Sequence, residues 1–321
     1  MGTTSDSCFI GIGEVLWDVA ADVKNLGGAP ANFAYHAGTV SRLIGAGTHG
    51  LVVSAVGKDS LGAETVAALK AAGLDYKLAT VNHQTGWVKV TYLDGEPEYE
   101  IIEDVAWDHI PLAGLKDAAD RARAVCFGTL AQRSSESRDT IREFLNAVPA
   151  GCLKICDINL RPPHFTKEIV LESLDLCNIL KINQSEVIYL SELLDDNSLC
   201  DPSAADWDTR LEAFSFLLCR KYGLKMAVVT CGCDGSFVFT SEGERSFLGT
   251  PKVEQVSAVG AGDSFTGTLC ACLDAGWSFH CAHAAAVAVS AYVVTQPGAM
   301  PDLTPILPDL MACKVEQDQC N

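Results

Sequence analysis

The architecture of the chain is already visible in residues 153–182, which read LKICDINLRPPHFTKEIVLESLDLCNILKI. Two apolar runs of strand length, 153–158 and 179–182, flank the segment 167–177, whose apolar residues recur at a spacing near 3.6. Continuous apolar strands are typical of sheets that are covered on both faces. The stretch therefore predicts a strand, a helix and a second, parallel strand.

The same alternation continues in both directions along the chain. Further apolar runs of strand length lie at 8–15, 51–56, 124–130 and 226–230, and further amphipathic segments at 29–44, 62–72, 135–147 and 208–222. This order predicts an α/β fold, with a doubly wound, mostly parallel sheet and helices on both faces. Because no internal repeat or Pro/Ser-rich linker interrupts the pattern, residues 1–321 are expected to form a single domain.

One region departs from this rhythm and predicts a small β-rich lid. Residues 85–93 and 96–102 alternate in side-chain character around Asp94-Gly95, which is a hairpin signal because glycine readily adopts a positive φ. We expect the lid to be built from about 16–26 and 85–104 within the single domain.

The charge of the chain argues against two classes of partner. With 41 acidic and 23 basic side chains the formal charge is −18, and a field of this sign repels phosphate backbones and anionic lipid headgroups. We therefore expect no nucleic-acid partner and no membrane partner.

The fourteen cysteines show no disulfide-like spacing and the polar N-terminus shows no secretory signal, so a cytoplasmic location is expected. The uncharged, Ala-rich stretch 275–301 is expected to be a buried helix and not a membrane span.

Several familiar motifs are incomplete. Gly57-Lys58 is followed by Asp59 and has no glycine five residues earlier, so it is not a Walker-type phosphate loop. The GxG that starts at Gly11 lacks the third glycine of a dinucleotide fingerprint, because Leu16 stands there. His280, Cys281 and His283 lie in an apolar segment, where packing explains them better than a metal site.

The segment 259–265, VGAGDSF, opens a long run of small residues and predicts the start of a helix. The first N–H groups of a helix have no intrahelical acceptor and favour an anion. Asp263 would place a carboxylate at the same point, as a base needs if it takes a proton from a hydroxyl that attacks a phosphoryl group. The structural alternative is that Asp263 only complements the helix dipole.

Two further glycine clusters carry chemistry. In LGGAPANFA at 26–34, Gly27 and Gly28 precede a helix start, and Asn32 presents an amide that can donate to and accept from a sugar hydroxyl. The alternative is a plain strand-to-helix turn. In TCGCDG at 230–235, a turn after an apolar strand would offer backbone surface to a nucleotide.

Taken together, GGAPANFA at 27–34, GAGDSF at 260–265, Asn183-Gln184-Ser185-Glu186 and VTCGCDG at 229–235 resemble the PfkB/ribokinase-type carbohydrate kinases over nearly the whole chain. The resemblance implies a ribokinase-like fold and an enzyme that transfers phosphate to an alcohol group of a small-molecule sugar. It also implies ATP and Mg²⁺ as cofactors. Lids of relatives often pair between subunits, so a homodimer through the lid is a further expectation.

The resemblance also implies roles for individual residues. Asp263 is the expected catalytic base, with Gly260, Ala261 and Gly262 as the anion hole. Asn183 and Glu186 match an NxxE motif, which implies a contact to the ATP phosphates and, for Glu186, to Mg²⁺ through water. The other expected nucleotide contacts are Thr230, Gly232, Gly235 and His283, and the expected sugar contacts are Asp18, Gly27, Gly28, Asn32 and Arg161.

The choice of sugar depends on weaker likenesses. The segment 157–161, DINLR, resembles the DxNxR segment of fructokinases and 2-keto-3-deoxygluconate kinases, and 105–108 and 127–130 look most like bacterial fructokinases. Fructose is therefore favoured, followed by 2-keto-3-deoxygluconate and then ribose. Ser257-Ala258 stand where many relatives have Asp-Thr, so activation by K⁺ is not expected. A catalytically silent relative and a nucleoside kinase of the same fold remain open alternatives.

Overall fold

The computed structural model describes residues 7–20, 23–93, 96–196, 199 and 206–320. Its strands are β1 Cys8–Ile12, β2 Leu16–Ala20, β3 Val23–Gly27, β4 His49–Gly57, β5 Asp75–Val81, β6 Trp87–Leu93, β7 Glu96–Ile101, β8 Ala122–Phe127, β9 Leu153–Asp157, β10 Ile179–Asn183, β11 Met226–Thr230, β12 Ser236–Thr240 and β13 Arg245–Leu248. Its α-helices are α1 Ala29–Leu43, α2 Ser60–Ala71, α3 Lys116–Asp120, α4 Ser135–Ala147, α5 Lys167–Leu176, α6 Gln184–Leu193, α7 Trp207–Tyr222, α8 Ala261–Asp274, α9 Phe279–Val293 and α10 Leu307–Cys320.

The main sheet has nine strands in the order β13-β12-β11-β10-β9-β8-β1-β4-β5. All neighbours from β5 to β11 pair in parallel, and β12 and β13 are added antiparallel at one edge. The chain winds in both directions from the centre, because β1 lies between β4 and β8. The expected doubly wound, mostly parallel sheet is therefore confirmed.

Strand β1 shows why its sequence is apolar at every position. Cys8, Ile10 and Ile12 belong to the hydrophobic cluster on one face of the sheet, whereas Phe9 belongs to the cluster on the other face. Successive side chains of a strand point to opposite faces, so a strand covered on both sides needs apolar residues throughout.

Close packing fixes the helices that carry the site. A Cβ on Gly11 of β1 would lie 1.8 Å from the carbonyl oxygen of Pro30, so only glycine lets the start of α1 rest on β1. A Cβ on Gly267 of α8 would lie 2.8 Å from the amide of Ala37 in α1. The first contact holds the start of α1 against β1, and the second lets α8 pack closely along α1.

The predicted lid corresponds to a second sheet with the strand order β3-β2-β6-β7. Two antiparallel hairpins, β2 with β3 and β6 with β7, are joined by parallel pairing of β2 with β6, where Trp17 faces Trp87. The predicted turn at 94–95 lies outside the described residues. Val88 and Ile101 are register partners in this sheet, and both line the cavity described below.

The uncharged stretch 275–301 contains the fifteen-residue helix α9, of which Ala282, Ala285 and Ala286 are fully buried. Among the described residues, no helix combines the length and hydrophobicity needed to cross a bilayer.

Candidate active site

A cavity of about 460 Å³ lies between the two sheets, at the carboxyl ends of the parallel strands. Ligands of open α/β sheets bind at this end, where the strand order reverses. Seven residues expected from the sequence line the cavity, namely Asp18, Gly28, Asn32, Arg161, Gly260, Gly262 and Asp263. Residues that are more than two hundred positions apart in the chain therefore line the same cavity.

Asp263 lies in the first turn of α8, and its carboxylate Oδ2 accepts a hydrogen bond from the Nδ2 of Asn32 across 2.7 Å. Burial and the nearby Asp157 raise the pKa of Asp263 from 3.8 to about 6, against the lowering effects of the Asn32 hydrogen bond and of Lys181. A carboxylate with a pKa near 6 is a better proton acceptor than an ordinary aspartate, yet it is still mostly ionised at neutral pH.

The start of α8 depends on its glycines. Gly260 is the N-cap with φ 81°, a left-handed conformation that favours glycine, and a Cβ there would lie 2.8 Å from the carbonyl oxygen of Ala299. Gly260 and Gly262 line the cavity, whereas Ala261 does not, and its N–H is directed at the carbonyl of Ala258 across 3.3 Å. In this structure the N–H of Ala261 is therefore engaged by the chain itself, and the role of Ala261 in an anion hole stays a prediction.

Lys181 is a cation beside this helix start that the sequence analysis did not single out. Its ammonium pairs with both carboxylate oxygens of Asp157, at 3.0 and 3.1 Å, and its side chain is 10% exposed. A Cβ on Gly262 would lie 2.9 Å from Lys181 Nζ, so the ammonium reaches the first turn of α8. The only sequence signal is a single charge within the apolar run ILKI of β10.

The predicted sugar side of the cavity is acidic. Asp18 lies in β2, and burial raises the pKa of its carboxyl while the charge of Arg161 lowers it. Gly28 has φ 110° and packs so closely that a Cβ would lie 2.3 Å from the carbonyl oxygen of Glu14, so it brings backbone to the cavity wall. Gly27 does not line the cavity and instead lies behind Asp18, whose Oδ2 would be 3.4 Å from a Cβ at that position.

Glu14 is a second residue that the sequence analysis did not single out. It lines the cavity, is 3% exposed, and its Oε2 has no hydrogen-bond partner among the described residues; the same holds for Oδ1 of Asn32. Burial raises the pKa of Glu14 from 4.5 to about 7, and the nearby Asp263 contributes to the rise. Two buried acceptors without partners are costly unless a ligand with hydroxyl groups satisfies them.

The NxxE residues form the N-terminus of α6. Asn183 caps the helix by accepting from the N–H of Glu186 at 3.0 Å, and Glu186 accepts from the N–H of Asn183 at 2.8 Å. The other carboxylate oxygen of Glu186 accepts from the N–H of Leu160 at 2.8 Å. Both oxygens retain a lone pair, so this 5% exposed carboxylate suits a water-retaining cation such as Mg²⁺.

Parallel pairing brings the predicted nucleotide residues to the same edge. Asn183 at the end of β10 is the register partner of Thr230 at the end of β11. Gly232 follows in an exposed turn with φ 58°, where a Cβ would meet no atom within 4 Å. The structure therefore places Asn183, Thr230 and Gly232 together.

Comparison with known proteins decides the family. The model of the pfkB family carbohydrate kinases matches residues 5–306. The chain belongs to the pfkB family of carbohydrate kinases. This confirms the resemblance drawn from the three glycine clusters and the NxxE motif, and the expectation that the chain is a carbohydrate kinase.

Individual relatives of this pfkB-family chain differ in how much of their length they share with it. An uncharacterized sugar kinase of Pyrococcus horikoshii is 29% identical over 184 residues, so the match covers 54% of this chain and 57% of that protein. Fructokinase-2 of Zea mays is 27% identical over 283 residues, 81% of this chain and 78% of that protein.

The fold is shared more widely than the sequence. The crystal structure of a fructokinase with bound ATP from Xylella fastidiosa has a TM-score of 0.79 at 21% identity, and the alignment covers 98% of this chain and 99% of that one. The ribokinase-like architecture expected from the resemblance is thereby confirmed.

The structure corrects two of the expected nucleotide contacts of this pfkB-family chain. His283 is fully buried, and its ring nitrogens lie 2.8 Å from Ser236 Oγ and 2.9 Å from Ser246 Oγ, so neither nitrogen is available to an adenine. Gly235 is also buried, and a Cβ there would lie 2.4 Å from the carbonyl of Leu248. Both residues shape the β11–β12 region instead of offering surface to a nucleotide.

Proposed function

We propose that the protein catalyses ATP-dependent phosphorylation of a sugar hydroxyl, with fructose as the favoured acceptor. The observation that carries the proposal is the cavity in which the Asp263 carboxylate, with its pKa raised to about 6, lies beside the α8 N-terminus. The unpartnered oxygens of Asn32 and Glu14 in the same cavity call for a ligand with hydroxyl groups.

In the proposed reaction, Asp263 accepts the proton of the sugar hydroxyl as that oxygen attacks the γ-phosphorus of ATP. The new oxygen–phosphorus bond forms while the bond from the γ-phosphorus to the bridging oxygen breaks, and ADP is the leaving group. Asn32 holds Asp263 in place through its 2.7 Å hydrogen bond. The base therefore acts at a fixed position, and positioning supplies much of the rate in phosphoryl transfer.

Negative charge on the transferring group is stabilised by the start of the same helix that carries Asp263 and by a neighbouring cation. The N–H groups at Gly260 and Gly262 open α8, and the Lys181 ammonium lies next to Gly262. A helix N-terminus and a fixed cation in a partly enclosed site stabilise developing charge without reorganisation. These groups also offset, locally, the repulsion that a chain with a charge of −18 exerts on ATP.

The ends of β10 and β11 make up the proposed nucleotide half of the site. Asn183 and Thr230 are register partners there, and the turn at Gly232 adds exposed backbone. Glu186 would hold Mg²⁺ through water, since each of its oxygens already accepts one backbone N–H. When bound, Mg²⁺ neutralises charge on the ATP phosphates.

The small sheet is the proposed lid. Val88 of β6 and Ile101 of β7 present apolar side chains to the cavity, next to Leu16 of β2. An apolar cover over the acceptor excludes water, which would otherwise compete for the phosphoryl group.

A second acceptor class is favoured by one observation. Arg161 lines the cavity and makes no ion pair with any described residue, so its guanidinium is available to a carboxylate on the substrate. This supports 2-keto-3-deoxygluconate as the second candidate, ahead of ribose, which carries no negative charge.

A coupled assay of ADP release with fructose, 2-keto-3-deoxygluconate, ribose and adenosine, each at several concentrations, tests the proposal. We expect sugar-dependent ADP release with the highest kcat/KM for fructose. The highest value for adenosine would identify a nucleoside kinase instead. No ADP release above the sugar-free rate with any acceptor, from protein that still binds ATP, would identify a silent relative.

A further inference from the structure

A cluster of side chains with potential metal-ligand atoms lies outside the cavity, at the ends of the β6–β7 hairpin. His83 stands in the connection from β5 to β6, Asp104 follows β7, and His109 follows a short 3-10 turn, 106–108, in the main body. One potential ligand atom from each residue lies within 4.8 Å of the others. None of the three residues has a role in the proposed phosphoryl transfer.

The distances match those between neighbouring ligands of one ion. Asp104 Oδ1 lies 2.9 Å from His109 Nε2 and 3.6 Å from His83 Nε2. Ligand atoms that are about 2.0–2.2 Å from a tetrahedral metal ion are separated by a little over 3 Å. The three atoms therefore need only small shifts to share an ion.

A fourth residue orients the cluster. A carboxylate oxygen of Glu136 in α4 lies 2.8 Å from Nδ1 of His109. This is the ring nitrogen that does not face Asp104. An imidazole that donates its Nδ1–H to a carboxylate has its Nε2 lone pair free for a metal, and histidine ligands in proteins usually have such a partner. Glu136 thus has the place of an outer partner and not of a ligand.

We infer that His83, Asp104 and His109 form a binding site for a divalent transition-metal ion, with Zn²⁺ as the best match. Two imidazole nitrogens and one carboxylate oxygen suit Zn²⁺, whereas Mg²⁺ prefers a shell of oxygen ligands. The side chains of His83, Asp104 and His109 are 34%, 77% and 22% exposed, so an ion reaches the site from solvent and water fills the fourth position.

Binding requires one rearrangement. The rings of His83 and His109 are stacked, with centroids 3.6 Å apart and planes inclined by 10°. A nitrogen lone pair lies in the plane of its ring, so both rings can meet one ion only if the planes open. His83 is the more exposed of the two histidines and lies in a loop, where a rotation about its side-chain torsions would open the stack. The opening of the stack is therefore part of the proposal.

An ion at this site would join both connections of the β6–β7 hairpin of the small sheet to the main body. His83 precedes β6 and Asp104 follows β7, whereas His109 and Glu136 belong to the main body. The site is thereby placed to restrict the sheet that is the proposed lid, at a distance from the reacting groups.

The test uses the full-length protein, freed of metals with a chelator and kept in excess Mg²⁺ so that the nucleotide site is not available to the probe. Zn²⁺ is titrated calorimetrically and Co²⁺ by visible absorption. We expect one Zn²⁺ per chain and Co²⁺ d–d bands of a four-coordinate site. His109→Gln and His83→Gln should abolish this binding, Asp104→Asn should weaken it at least tenfold, and Glu136→Gln should weaken it by about ten- to a hundredfold.

Two controls separate this site from others. His49→Gln changes an exposed histidine of β4 and should leave binding unchanged. Cys231→Ser/Cys233→Ser removes the C-x-C pair, of which Cys231 is half-buried and Cys233 exposed, and should also leave Zn²⁺ binding unchanged. Thiolate-to-cobalt charge-transfer bands, or unchanged Zn²⁺ affinity in both His83→Gln and His109→Gln at a wild-type melting temperature, would overturn the proposal.

Discussion

The amide of Asn32 donates a hydrogen bond to the carboxylate of Asp263 across 2.7 Å, although 231 positions separate the two residues in the chain. Asn32 lies in the first turn of α1 and Asp263 in the first turn of α8. The bond joins the two glycine clusters that the sequence presents separately. It places an amide that can donate to and accept from a hydroxyl group next to the proposed base, so the hydroxyl that is to be phosphorylated would lie beside that base.

Replacing Asn32 by Ala should move the pH dependence of catalysis. The hydrogen bond stabilises the charged form of Asp263 and lowers its pKa, so its removal raises that pKa above about 6. The base must be ionised to act, so the acidic limb of the kcat/KM profile should shift to higher pH. The profile of Asn32→Ala against that of wild type checks this, and superimposable acidic limbs would contradict it.

Replacing Glu14 by Gln should stabilise the folded protein at alkaline pH. The pKa of Glu14 rises from 4.5 to about 7 on folding, so the folded state holds the proton more tightly and stability is lost as pH rises through this range. A shift of this size corresponds to a free energy on the order of 3 kcal/mol.

Melting temperatures of Glu14→Gln and wild type at pH 5 and pH 8 measure this effect. The gain should be larger at pH 8. Glu172→Gln, at an exposed position of α5, is the matched control and should show no pH-dependent difference. An equal gain for Glu14→Gln at both pH values would contradict the expected ionisation of a buried carboxyl.

Lys181 should prove both structural and catalytic. Lys181→Met leaves the buried Asp157 carboxylate without its partner, which typically costs about 3–5 kcal/mol, and removes the cation next to Gly262. The double variant Lys181→Met/Asp157→Asn removes the unpaired charge. Its melting temperature should return toward the wild-type value while kcat remains low. Recovery of kcat together with stability would show that Lys181 acts only in folding.

Arg161 should separate anionic from neutral acceptors. Arg161→Gln removes a guanidinium that lines the cavity without an ion pair to any described residue. A charge-assisted bidentate contact is worth about 1.5–3 kcal/mol, so KM for 2-keto-3-deoxygluconate should rise by roughly ten- to a hundredfold, with a much smaller rise for fructose. Equal rises in KM for both sugars would contradict a contact with the substrate carboxylate and would indicate that Arg161 binds the nucleotide or stabilises the fold.

Most of the central sheet could be predicted because its strands carry their own signal. The run 179–182 is apolar throughout, and the observed strand β10 is Ile179–Asn183. Strand β5, DYKLATV, was not predicted because it is an edge strand whose side chains alternate with lysine and aspartate. The position of β5 in the sheet is set by parallel pairing with β4. A local sequence pattern holds no information on this pairing.

Residues of the candidate site could be predicted where one sequence motif contains several of them. They could not be predicted where contacts between distant parts of the chain give a residue its role. The run GAGD brings Gly260, Gly262 and Asp263 together within one helical turn. Glu14 and Lys181, by contrast, are single charges in apolar surroundings, and their roles follow from partners that only the fold supplies. The prediction that His283 contacts the adenine was wrong for the same reason. Ser236 of β12 and Ser246 of β13 hydrogen-bond to its ring, and only the fold brings these strands to it.

The most direct test of the proposed function is sugar-dependent ADP release by Asp263→Asn, measured beside its affinity for ATP. The substitution removes the proton acceptor but keeps the size of the side chain, and an amide oxygen can still accept from Asn32. We predict that ADP release falls by at least about 10² while ATP binding stays within a few-fold of wild type. Turnover close to the wild-type rate, from protein of wild-type melting temperature, would contradict the assignment of Asp263 as the base.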